Sequence, residues 1–193
     1  MATPSRSATR QLIRRPFTTF EIVAQSDSMK QKLKVSFDDP EHGWVGLTIS
    51  HGEESLTIIA SYTPSDSFLD LTNTLYNLLC YRIGGVVTWH EEPSETELRF
   101  SISGEQVKLE VYFFWDHRRD SGRGARELAI TGSYGEICRP FWRALRSLQG
   151  RFSADELNAR WHRPFPWKEI DVLTTIVKEK SGQSPDEGSD NAQ

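Results

Sequence analysis

Alternation of apolar and polar side chains dominates the first two thirds of this chain. Leu33, Val35 and Phe37 alternate with Lys34 and Ser36, the period-two pattern of a half-buried strand. Asp38-Asp39-Pro40 interrupts it. Val45, Leu47 and Ile49 then alternate, His51-Gly52-Glu53 makes a tight turn, and Leu56, Ile58, Ala60 and Tyr62 resume the pattern. Three strands in an antiparallel meander are predicted. The period changes over residues 66–81, where Phe68, Leu71, Leu75, Leu78 and Leu79 recur at helical spacing. Ser65 is the expected N-cap, and Gly84-Gly85 the expected stop.

After this helix the alternation returns. Val87 and Trp89 mark one strand, and Leu98, Phe100 and Ile102 a second. Beyond the turn Ser103-Gly104-Glu105, the run Val107, Leu109, Val111, Phe113 and Trp115 marks a third. Tyr112 and Phe114 lie on its other face, so both faces are expected to be covered there. Leu128 and Ile130 mark the seventh strand. The remainder reads as helix. Ser133 and Glu136 have capping-box spacing ahead of Ile137, Phe141, Leu145 and Leu148, with Pro140 predicting either a kink or the true helix start. Ser153 and Glu156 open a short helix to Trp161. Pro166 is placed in the first turn of a last helix with Ile170, Leu173, Ile176 and Val177 on its face. Strands grouped with strands and helices with helices predict an α+β fold: a twisted antiparallel sheet of about seven strands, in the order β3-α-β4-α3, with helices on one face.

Composition bounds the rest. The 193 residues suit one domain with tails. We read residues 1–28 as a disordered basic extension, 29–180 as a single domain and 181–193 as a disordered tail without large apolar side chains. Arg6, Arg10, Arg14 and Arg15 lie in an acid-free stretch, a composition that overlaps with organelle targeting sequences; the extension is the preferred reading. Residues 21–193 then hold nineteen Lys and Arg against twenty-seven Asp and Glu. An acidic fold argues against bulk nucleic-acid binding and favours a basic protein partner. No apolar run is long enough for a membrane-spanning helix.

Signatures of chemistry are sparse. The chain has no C-x-x-C, no P-loop, no G-x-G-x-x-G and no G-x-S-x-G. His42, His51, His90, His117 and His162 are scattered, so no metal and no cofactor are assigned. Cys80 and Cys138 are expected to be buried and structural. His90-Glu91-Glu92 and Asp38-Asp39 read as solvated turn acids, and no catalytic residue is assigned. Two segments are candidates for binding. The 116–124 connection carries His117, Arg118, Arg119 and Arg123 in a long hairpin loop, and arginine forks recognise phosphates and carboxylates. Trp161, Arg163 and Trp167 in the helical third combine residue types typical of protein interfaces.

Three strings carry a resemblance. His42-Gly43-Trp44 after Asp39-Pro40, the strand ending Phe113-Phe114-Trp115, and Pro140-Phe141-Trp142-Arg143-Ala144-Leu145 look like a group of small uncharacterised bacterial cytosolic proteins. Some of these resemble immunity proteins encoded beside polymorphic toxins. The resemblance covers residues 30–178 and implies a cytoplasmic, non-enzymatic protein-binding module that masks a basic partner. A small-ligand or phosphate-binding protein, or an enzyme, using a groove between sheet and helices is the alternative.

Overall fold

The computed structural model describes residues 31–119 and 124–182. All seven expected strands form: β1 (Leu33–Phe37), β2 (Trp44–His51), β3 (Glu54–Ser61), β4 (Gly85–His90), β5 (Glu95–Ser103), β6 (Gln106–Phe114) and β7 (Ala125–Gly132). They make one open antiparallel sheet whose spatial order follows the chain. Four helices accompany it: α1 (Ser67–Tyr81), between β3 and β4, then α2 (Tyr134–Arg151), α3 (Ala154–Trp161) and α4 (Trp167–Gly182). The fold is α+β. The expected extension over 1–28 and most of the tail over 181–193 lie outside the described residues.

The inward alternation is what packs. Leu47, Ile49, Ile58, Val87, Trp89, Leu98, Leu109 and Val111 line one sheet face and are buried beneath α1 and α2. Phe68, Leu71, Leu75 and Leu78 of α1 and Phe141, Leu145 and Leu148 of α2 fill the interface. Helix α4 packs on both helices through Ile170 and Leu173. Phe68 is the centre of an aromatic cluster, with ring centroids 5.1 Å from Phe37, 5.6 Å from Trp89, 4.9 Å from Trp161 and 5.0 Å from Phe165. Trp142 joins α2 to α4 by donating to the Thr174 hydroxyl at 2.9 Å.

Several boundaries differ from the sequence expectation. Asp66, not Ser65, caps α1: its carboxylate accepts the Leu69 amide at 3.1 Å. Ser65 is thereby left free for another partner. Helix α1 ends at Arg82 in the left-handed conformation (φ 57°) rather than at a glycine. The Arg82 guanidinium offsets that strain by donating to Gly104 O at 2.8 Å and Glu105 at 3.0 Å. Gly84 serves close approach instead, because a Cβ there would collide with the Phe100 carbonyl. Helix α2 runs on through Pro140, and the Ser133–Glu136 capping box fixes its start about two turns earlier. Pro166 precedes α4, and its carbonyl accepts the Ile170 amide at 3.0 Å.

The sheet has a step. β3 and β4 pair only at Ser61 and His90, their last residues. Antiparallel strands that meet at their ends run on past each other, so β1–β3 and β4–β7 are two blocks offset along the strand direction. The β4–β5 turn therefore lies beside β3, and the β3–α1 connection lies beside β4. Ser67 Oγ donates to Thr88 O at 2.7 Å across this boundary.

Glu91 closes the step from one side. Its carboxylate accepts the Thr96 hydroxyl at 2.5 Å and the Ile59 amide, and burial holds its pKa above the ordinary carboxylate value. The folded state therefore binds this proton more tightly than the unfolded chain. The contribution to stability is full below the ordinary carboxylate pKa and is lost as pH rises through the higher folded value. Glu91→Gln, which keeps an acceptor for both donors, is expected to raise the urea midpoint at about pH 7. The gain should shrink toward about pH 4. A midpoint lowered at neutral pH would show that the ionised carboxylate is needed.

Candidate functional site

Two of the sequence-flagged arginines, Arg119 and Arg163, are engaged within the fold. Arg119 sits in the β6–β7 connection with φ 58°, its amide donating to Asp116 Oδ1 at 2.7 Å. Its guanidinium stacks 4.4 Å from the Phe114 ring centroid and donates to Glu95 at 3.2 Å and, over a shorter distance, to Glu97. Arg119 is thus paired with the chain's own acids. His117 and Arg118 are exposed, and Arg123 lies outside the described residues.

The helical aromatics are likewise internal. Trp161 is fully buried against Phe68, and Trp167 is half-buried against Phe165. They pack the helical layer, Trp161 fully and Trp167 in part. Arg163 donates to Pro64 O at 2.8 Å and so pins the β3–α1 connection. The cysteines divide: Cys138 is buried and its thiol is pushed up to about 12 by desolvation, whereas Cys80 is exposed, against expectation, because it falls on the outer side of the α1 stripe. Of the acids read as solvated, Asp38, Asp39 and Glu92 are exposed, but Glu91 is half-buried for the reason given above.

At the step, a row of side chains crosses five strands on the face away from the helices: Trp44, Ser61, His90, Glu95 and Phe114, each paired with the next. Four connections meet at this end of the sheet, the arrangement by which scaffolds commonly present binding groups. Ser61 Oγ and Thr63 Oγ1 donate to Glu92 Oε1 at 2.5 and 2.9 Å, and these hydrogen bonds hold the Glu92 pKa below its ordinary value. Ser65 Oγ lies 3.0 Å from His90 Nε2, and His90 Nδ1 lies 3.1 Å from Glu95 Oε1. The line then continues through Arg119 to Glu97, whose other oxygen accepts from Arg99 Nε and Nη2, both at 2.7 Å. Arg99 stacks over Tyr112 at 4.3 Å. The open face of β5 and β6 is therefore a self-neutralised ladder of acids, arginines and rings.

The face of β2 and β3 beside it differs. Trp44 and Ile59 point outward and are 37% and 59% exposed. Gly46, directly opposite Ile59, leaves room for the Asp38 carboxylate to lie between strands' side chains on this face. Trp115, 73% exposed, flanks the other end of the row. A second feature lies nearby: an open hollow of about 370 Å³ lined by Glu41, His42, Glu156, Ala159, Arg160 and His162. Glu156 is already committed to capping α3, and no metal-binding group of acids, histidines and cysteines forms among the described residues.

The sequence reading does not single out Glu95 or Glu97, and it takes Ser65 only as a helix cap. The signal was the i, i+2 acid pair of β5, facing the Tyr112 and Phe114 side of β6. Acids set among aromatic rings need counterions, and Arg99 and Arg119 supply them. Comparison with known proteins leaves the geometry to stand alone: no protein-family model, no curated protein and no solved structure matches the chain.

Proposed function

We propose that this chain is a protein-binding module that masks a basic protein partner through the open sheet face around Trp44 and Ile59. The observation that carries this reading is the pair of outward apolar side chains, Trp44 and Ile59, set among acids. Asp38 lies over Gly46, Glu92 is held ionised at the edge of the step, and Glu41 stands in the adjoining β1–β2 connection, where Asp39 is paired with Arg151 at 2.9 Å. An exposed aromatic anchor with a charged rim is the usual composition of an interface. Charge supports the sign of the partner. Residues 31–132 hold sixteen Asp and Glu against nine Lys and Arg, and Arg99 and Arg119 of the neighbouring β5–β6 face are spent on Glu95 and Glu97. Complementary charge accelerates encounter and restricts partner choice.

The test uses the purified product of the neighbouring gene as the candidate partner, mixed with the full chain and followed by calorimetry. A one-to-one complex is expected, with affinity falling as salt rises. Trp44→Ser with Ile59→Ser should weaken it about 30-fold or more, with a modest loss of melting temperature because Trp44 is 37% exposed and partly covered in the free protein. Binding that survives the double substitution at full strength would exclude this face.

A further inference from the structure

We propose that Ser65, His90 and Glu95 form a nucleophile–base–acid triad able to cleave small carboxylic esters, an activity that goes beyond masking a partner. The inference rests on order and distance: hydroxyl to imidazole Nε2 at 3.0 Å, imidazole Nδ1 to carboxylate at 3.1 Å. Each link is fixed by the scaffold. His90 and Glu95 are directly opposed residues at the ends of β4 and β5, so strand pairing sets their separation. Glu95 is buried and further held by Arg119 at 3.2 Å. Ser65 is confined between Pro64, whose carbonyl is tied to Arg163, and Asp66, the cap of α1. Ser65 is half-buried, with its hydroxyl against the His90 ring.

The arrangement assigns the protons. With Nδ1–H donated to Glu95, Nε2 presents its lone pair to the Ser65 hydroxyl. Oγ attacks the ester carbonyl carbon while its proton passes to Nε2. The bond from carbon to the leaving oxygen then breaks, and the leaving alcohol takes that proton from His90. Water attacks the resulting acyl-serine ester, giving a proton to His90, which returns it to Ser65 as the acid departs. Ester and water become acid and alcohol, with no change of oxidation state. Glu95, 3.1 Å from Nδ1, stabilises the imidazolium formed in both halves.

A fluorophosphonate probe and p-nitrophenyl acetate test this on the full chain. The expected result is a single phosphonyl adduct mapped by mass spectrometry to Ser65, absent in Ser65→Ala. Labelling should be slowed about 100-fold or more in His90→Gln, and p-nitrophenyl acetate turnover should fall in parallel. Asp66 caps the helix, so Ser65→Ala should keep the wild-type melting temperature; if His90→Gln unfolds, Glu95→Gln gives the second reading. No adduct under conditions that label a serine esterase, an adduct at another residue, or a labelling rate unchanged in His90→Gln and Glu95→Gln would each overturn the proposal and leave the line as a structural latch.

Discussion

Phe68→Ala is expected to cost about 3–5 kcal/mol, the largest loss of any single truncation in this fold. Phe68 is fully buried and its ring touches Phe37, Trp89, Trp161 and Phe165, which come from β1, β4, α3 and the α3–α4 connection. Four edge-on ring contacts are lost at once, and the rings around the cavity cannot all move inward because each belongs to a different element. Chemical denaturation of the variant at neutral pH measures the loss. A change below about 1 kcal/mol would mean that the cluster rearranges to fill the space and that Phe68 is not its centre.

Arg119→Ala is the second large effect, and it acts through charge rather than volume. The side chains of Glu95 and Glu97 are 8% and 6% exposed, and Arg119, at 39%, is the cation they share. Removing one member of a buried pair costs about 3–5 kcal/mol, and the partial exposure of Arg119 brings the expected loss to about 2–3 kcal/mol. Arg99 still serves Glu97, so the stranded group is Glu95, with His90 its remaining ionic neighbour among the described residues. Adding Glu95→Gln to Arg119→Ala should therefore recover part of the loss, whereas Arg118→Ala, at an exposed position, should change the melting temperature little. Equal, small effects of Arg118→Ala and Arg119→Ala would show that the loop contributes nothing to the fold.

The strands were legible because their information is local. Leu33 to Ile130 alternate with period two wherever one face is buried, and Phe68 to Leu79 keep helical spacing wherever α1 meets the sheet. The same alternation that turns Val45 and Ile58 inward turns Trp44 and Ile59 outward, so the open face was implied, although the helical tryptophans drew more attention. Trp161 and Trp167 attract notice by composition, yet their spacing with Leu157 and Ile170 places them on the packed side. What the sequence could not supply was register. Ser65, His90, Glu95 and Arg119 span 55 positions and meet only because β3 and β4 overlap at one pair, an offset set by the whole sheet. Arg82 illustrates the same limit at the helix end. Gly84 and Gly85 carry the local stop signal, but a tertiary contact to Gly104 and Glu105 moves the cap upstream. Arg119 looked like a free cation for the converse reason: its acids lie twenty-two and twenty-four residues away in sequence.

Hydrogen–deuterium exchange of the one-to-one complex with the neighbouring gene product tests the central claim most directly. Binding through the open face predicts slowed exchange in 44–46, 57–63 and 90–95, with α2, α3 and α4 unchanged from the free chain. Protection confined to the helices, or to the exposed residues 117 and 118 of the β6–β7 connection, would contradict it.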